Sequence, residues 1–288
     1  MNKSNMHRKL FFIVASTLFL SACDVDGPTG PADIQVMRES RPVGDAKELA
    51  VNLKYDVGHL EISRAAEDKL FSMELQYDRN INDPSFSFDG GDRASMRLDM
   101  NAHKVRFSNR GNDNDLTLHL TDKVPLDIDL TAGVAESRLE MTNLKVRRMH
   151  LRGGVGKTEV TFDKPSGEVM NSLDVESGVG ELIIHGLGNV QVEHVDLKGG
   201  VGHTELDFTG DIGNSNIEAE VKVGVGAVRI TLPRDADVEL EGEGSFLSNI
   251  SAPSFEKNGR TYTHRGGGGG KIRIRVESGI GGVEVELI

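Results

Sequence analysis

The sequence predicts an all-β protein: a β-solenoid-like stack of strand–Gly-Val-Gly–strand repeats with an N-terminal antiparallel β capping region. Three observations predict it. Apolar and polar residues alternate with period two after residue 34, where helical periodicity is scarce. Leu126, Ile128 and Leu130 alternate with Asp127, Asp129 and Thr131, and Leu116, Leu118 and Leu120 follow the same pattern. A Gly-Val-Gly tripeptide recurs at Gly154–Gly156, Gly178–Gly180, Gly200–Gly202 and Gly224–Gly226, with Gly-Ile-Gly at Gly279–Gly281. The composition fits a turn-rich folded chain, with 34 glycines in 288 residues against 8 prolines, 37% hydrophobic and 27% charged.

The elements follow in chain order. Residues 1–22 are expected to be a signal peptide. Lys3, Arg8 and Lys9 precede an apolar run from Leu10 to Leu20, which is too short for a spanning helix of about 20 residues. Leu20-Ser21-Ala22-Cys23 resembles the lipobox of bacterial lipoproteins. The resemblance implies acylation of Cys23, the one cysteine of the chain, and cleavage before it. Two or three acyl chains hold a protein firmly to a membrane. Asp24 resembles the enterobacterial signal for retention at the inner membrane. The chain is then expected on the periplasmic side of a bacterial cell envelope. Residues 23–33, with Gly27, Pro28, Gly30 and Pro31, are expected to form the acylated tether. The three basic residues leave with the signal, so the formal charge of −12 falls to about −15. Such a body stands off anionic headgroups. It is also a poor match for nucleic acid. A single cysteine excludes a disulfide framework and a Cys-based zinc site.

Residues 34–125 are expected to form the capping β domain, and residues 126–288 the repeat. Ala65 to Leu70 suits one helical turn or a loop. Gly133-Val134-Ala135 is a degraded first copy of the corner. The steps between first glycines are 21, 24, 22, 24 and 55 residues. Leu151 to Phe162 returns 46 residues later as Leu197 to Phe208, so a unit of about 23 residues is taken as a half-turn and 46 as the full coil. Gly154, Gly156, Gly178, Gly180, Gly200, Gly202, Gly224, Gly226, Gly279 and Gly281 are the predicted corners, with the middle valine pointing inward. Val160 and Phe162, Leu182 and Ile184, Leu206 and Phe208, Val228 to Leu232, and Val283 to Leu287 supply the buried face. Lys157, Glu159, His203, Glu205, Arg229, Glu284 and Glu286 supply the exposed one. The last strand, Val283 to Ile288, has no following sequence to cover it. Gly242 to Arg265 is an insertion closed by Gly266–Gly270, expected to be a flexible loop.

Two motifs imitate others. Arg152-Gly-Gly-Val-Gly-Lys-Thr158 looks like a Walker A loop, but Glu159-Val-Thr-Phe162 continues as a strand and the sister copy carries His203 in place of the lysine. Gly-Gly-Val-Gly also resembles part of a calcium-binding nonapeptide, but its spacing is wrong for shared ions. No nucleotide, metal or other cofactor is expected. The eight remaining histidines are dispersed, and no nucleophile elbow or His-Glu-x-x-His is present. No catalytic residue is assigned.

The chain resembles the N-terminal domain of the toast-rack family. The resemblance rests on Leu53 to Ile62, Val124 to Leu130 with Ala132-Gly133-Val134, and Leu151 to Phe162. Ile230 to Val238 and Gly279 to Glu286 are similar to the strand repeats of the putative-adhesin family. They are also similar to the C-terminal domain of cell-wall-active antibiotics response proteins. The resemblance implies a strand-repeat fold and carries no active-site residues. The expected function is that of a non-enzymatic, membrane-anchored envelope lipoprotein presenting a rigid acidic β surface to an envelope protein partner, in envelope-stress sensing or adhesion. Alternatives are an enzyme acting on envelope glycan or lipid, and a carrier of apolar ligands.

Overall fold

The computed structural model describes residues 31–66, 68–102, 114–244 and 248–288. Its sixteen strands belong to one sheet. The backbone of that sheet is a set of long bent strands in parallel register: β2 (Glu48–Arg64), β7 (Leu126–Glu140), β8 (Val146–Thr161), β9 (Ser172–His185), β10 (His194–Asp207), β11 (Asn216–Leu232) and β16 (Lys271–Leu287). Each bends at its glycine corner into a first and a second arm. Leu126, Ile128 and Leu130 of a first arm and Leu139 of the second face the same interior and are buried. All the apolar positions assigned to the buried face after the corner are buried. The connecting loops close the far side of the interior with Phe162, Met170, Leu187, Val190, Phe208 and Ile212.

The register corrects the size of the coil. Val134 pairs with Val155, Val155 with Val179, Val179 with Val201, Val201 with Val225, and Val225 with Ile280. Every unit of about 23 residues therefore stacks on the next, and one unit is a full coil. The 46-residue similarity has a different physical basis. The column His59, Glu136, Lys157, Glu181, His203 runs through successive coils. Carboxylates alternate in it with Lys or His as far as His203, before it continues as Ala227 and Gly282, and like charges directly opposite on neighbouring strands are destabilising. A column that sets Lys157 and His203 either side of Glu181 makes the Gly154 and Gly200 copies more alike than neighbours.

The ends of the stack share one device. At the N-terminal end β5 (Arg93–Asp99) pairs in parallel with the first arm of β2, and β6 (Asp115–Leu120) with its second arm. Antiparallel β4 (Ser85–Asp89) covers β5. Antiparallel β3 (Lys69–Asp78) covers β6, and β1 (Ile34–Pro42) covers β3. At the C-terminal end β12 (Asp237–Gly244) pairs with the first arm of β16 and β13 (Ser248–Ser251) with its second. Antiparallel β15 (Thr261–His264) and β14 (Glu256–Asn258) follow. Both ends thus replace a bent strand by two short ones and then turn antiparallel.

This changes two expectations. The stack reaches back into residues 34–125, because β2 is its first bent strand and Val57 is in register with Val134. The last strand is covered, because β12 and β13 lie outside it and β16 is inserted between β11 and β12. That insertion is the 55-residue step. Ala65 and Ala66 are irregular backbone rather than helix. The run Gly266–Gly270 is packed at its ends and open at its centre: a Cβ on Gly266 would lie 2.1 Å from the Asp235 carbonyl carbon and one on Gly270 2.5 Å from the Ser215 carbonyl oxygen, while Gly267 and Gly268 have nothing within 4 Å.

Candidate interaction surface

Cys23 and Asp24 lie outside the described residues. The predicted corner glycines all fall at the bend, where their role is steric. Gly156 has φ +137°, and a Cβ there would lie 2.0 Å from the Ala135 carbonyl oxygen. Gly154, on the other side of the valine, would place a Cβ 2.3 Å from the Gly133 oxygen. Gly178 and Gly180, Gly200 and Gly202, Gly224 and Gly226, and Gly279 and Gly281 repeat these approaches coil by coil. Successive corners therefore sit backbone on backbone, with no room for side chains between them.

The middle valines point outward, not inward. Val134, Val155, Val179, Val201, Val225 and Ile280 are between 41% and 51% exposed. The cause is a slip of phase at the bend. In β8 the inward side chains are Met149 and Leu151 before the corner, then Val160 after it. The alternation changes from odd to even across Gly154–Gly156. The inside of the bend is filled by a column that runs Tyr55, Ala132, Gly153, Ser177, Gly199, Val223 and Ser278 through successive coils. A Cβ on Gly199 would lie 3.1 Å from a Val223 methyl and 3.5 Å from Thr204 Oγ1, and Tyr55, Val223, Thr204 and Ser137 are buried there. A glycine at positive φ follows Val155, Val179, Val201, Val225 and Ile280, and the slip of phase there turns these side chains out.

The result is a ridge of β-branched side chains along the stack, with glycine tracks on both sides. Two charged rows flank it. One contains Lys54, Thr131, Arg152, Glu176, Lys198, Lys222 and Glu277, and the other the alternating column described above. Lys157 bridges Glu181 at 3.4 Å and Glu159 at 3.5 Å. The hydrogen bond to Glu181 raises the Lys157 ammonium above its ordinary value. Here Lys157 lies within strand β8, the position where a phosphate-binding loop would have to open a helix.

A second surface lies on the outer face of the first arms. Asp174, Asp196, Glu218, Glu220, Glu239 and Glu241 border an open groove of about 460 Å³, with His194, Arg273 and Arg275 among them. Lys222 donates to Glu220 at 2.7 Å and holds that carboxylate below its usual range. Arg275 reaches Glu241 at 3.4 Å, and Arg273 reaches Glu218 at 3.7 Å. Among the described residues no three His, Cys, Asp or Glu side chains converge as metal ligands do. His203 lies beside Glu205 and His185 beside Asp207, and His59 lies between two carboxylates, Asp115 at 3.3 Å and Glu136 at 3.8 Å.

Sequence reasoning missed a buried polar knot at the first corner. The Asn114 side chain accepts from the Asp78 and Asn82 nitrogens at 3.2 and 3.0 Å and donates to the Val57 carbonyl at 3.0 Å. The Tyr55 hydroxyl donates to the Asn114 carbonyl at 2.7 Å. Desolvation pushes the Tyr55 hydroxyl far above its ordinary value, so it stays a donor. The available signal was a polar Asp78, Asn82 and Asn114 set at strand ends.

Stacked bent strands with glycine corners, a filled interior and two ordered outer faces define a class of β-coil proteins whose chemistry is on the outside. Within that class, the chain belongs to the family described as the N-terminal domain of toast_rack, DUF2154, whose model matches residues 28–185 and 166–231. Solved structures similar to it include a putative cell adhesion protein from Clostridium sporogenes ATCC 15579. That one is 19% identical, with a TM-score of 0.47, covering 88% of this chain and 100% of that one. A putative adhesin from Bacteroides fragilis NCTC 9343 is 12% identical with a TM-score of 0.41, covering 88% and 97%. A putative lipid binding protein from Parabacteroides distasonis ATCC 8503 is 9% identical with a TM-score of 0.34, covering 88% and 98%. No curated protein matches the chain significantly.

Proposed function

We propose that the chain is a non-enzymatic, lipid-anchored protein of the bacterial envelope that presents the outer face of its first arms to a basic surface on another envelope protein. The observation that carries this reading is the fixed acidic array around Glu218, Glu220, Glu239 and Glu241 on one continuous sheet. A rigid array loses little entropy on binding and steers an oppositely charged partner. The interior columns are occupied by the protein's own aliphatic side chains, which speaks against a carrier of apolar ligands. Lipid attachment at Cys23 supplies the location.

The test uses a photo-cross-linking residue in place of Glu220 in the full chain in its host. One discrete adduct is expected, lost when Glu218 and Glu241 are changed to Lys and lost when Cys23→Ser leaves an unprocessed precursor. Absence of an adduct, or one indifferent to the charge reversals, overturns the interaction. Normal processing and membrane retention of Cys23→Ser overturns the anchor.

A further inference from the structure

We propose that two copies of this chain pair through their corner ridges, antiparallel, about a two-fold axis between the Val155 and Val179 coils. This surface is separate from the acidic array and does not depend on the function proposed above. Its first support is the ridge itself. Val134, Val155, Val179, Val201 and Val225 are each close to half exposed, one per coil, in unbroken register. With neighbouring strands about 4.8 Å apart, six coils from Val57 to Val225 make a stripe roughly 24 Å long. Contiguous apolar surface of this kind on an otherwise acidic protein marks an interaction site.

The second support is charge. When two such ridges meet head to head with coil order reversed, each flanking row meets its own copy running the other way. About the axis between the Val155 and Val179 coils, Val155 faces Val179 of the second copy and Val134 faces Val201. In one row Arg152 then faces Glu176 of the second copy. In the other, Lys157 faces Glu181 and Glu136 faces His203. At the centre both rows become complementary about the same axis, though they lie on opposite sides of the ridge, and further out in the first row Thr131 faces Lys198. Keeping the coil order parallel instead places Arg152 opposite Lys157 and Glu176 opposite Glu181, which is repulsive in both rows. At the rim Lys54 faces Lys222, where both side chains are well exposed, at 67% and 42%, and solvent screens them. The glycine tracks on either side leave the valines of the ridge standing clear of other side chains.

The footprint of one narrow ridge is below the roughly 800 Å² per partner of a standard interface. The dimer is therefore weak in solution and favoured by confinement to a membrane surface. Sedimentation of the full chain in mild detergent, over a concentration series, reads it directly. A reversible monomer–dimer equilibrium is expected, weakened at least tenfold by Val155→Ser with Val179→Ser. Arg152→Glu with Lys157→Glu makes one charge variant, and Glu176→Arg with Glu181→Arg makes another. Each is expected to be monomeric alone, and their mixture is expected to dimerise. Thermal melts show whether each variant is folded, and the restored mixture rules out misfolding as the cause. A wild-type chain that stays monomeric throughout overturns the proposal, as does a mixture that stays monomeric. If the wild-type chain is monomeric but binds anionic vesicles through Val155 and Val179, the ridge is a lipid contact and the proposal is wrong.

Discussion

The corner glycines are conserved in their geometry from coil to coil because the stack leaves them no alternative. Gly180 combines φ +138° with a virtual Cβ only 1.8 Å from the Gly156 carbonyl oxygen. Gly180→Ala must therefore move one coil away from the next, at a cost of about 2–4 kcal/mol. Gly282 directly follows the corner glycine Gly281, has no atom within 4 Å of its virtual Cβ, and pairs in register with Ala227. Gly282→Ala is expected to change stability by less than about 0.5 kcal/mol. Urea unfolding of the two variants side by side checks the contrast. Equal effects would mean that the glycines act through chain entropy rather than through the backbone contact.

Among the elements, the start of β7 depends on a charge cluster that the sequence pattern did not disclose. Asp127 accepts from Arg147 Nε and Nη2 at 3.0 and 2.7 Å and from Arg148 Nη2 at 2.6 Å. Arg147 also donates to Glu48 on β2 at 3.0 Å. Burial alone would raise the Asp127 carboxyl, but the hydrogen bonds from the two arginines outweigh it and hold the group below its ordinary value. A lowered native value means that the stabilisation is present above the unfolded-state value and is lost as pH falls through the native one. Asp127→Asn is expected to cost about 1–2 kcal/mol at neutral pH. It should also flatten the acid limb of stability against pH, measured by urea titration. An acid limb identical to wild type would show that Asp127 contributes nothing to it. The alternation in Leu126–Leu130 made β7 legible as a strand with its faces assigned. The partner of Asp127 was not legible, because Arg147 is one coil away and its position depends on the register shift at Leu126/Asp127.

At the scale of the molecule, the stack is closed by inserting a full bent strand one layer inside each end. β2 lies beneath β5 and β6, and β16 beneath β12 and β13. The arrangement keeps the long edges of the bent strands covered and leaves shorter edges outside, antiparallel except at β13, where uncovered N–H and C=O groups invite other chains. Removing Lys271–Ile288 takes away the layer on which the C-terminal cap rests. Hydrogen exchange of that truncation is expected to show lost protection across Asp237–His264, with β8 to β10 still protected, because coils contact only their neighbours. Protection retained in the cap would mean that it docks on β11 directly and that β16 is not its support.

The sequence by itself determined the strands, their buried and exposed faces and the positions of the bends. These follow from period-two alternation and from glycine, which act within a few residues. Only the tertiary structure decided that each unit of about 23 residues is a whole coil, that the C-terminal strand lies inside its cap, and that the valines face out. The first two are choices of neighbour between segments far apart in the chain, and alternation is the same whichever neighbour is chosen. The third follows from the slip of phase at the bend, where glycines such as Gly156 and Gly180 at positive φ reverse the alternation and leave the valine on the outside.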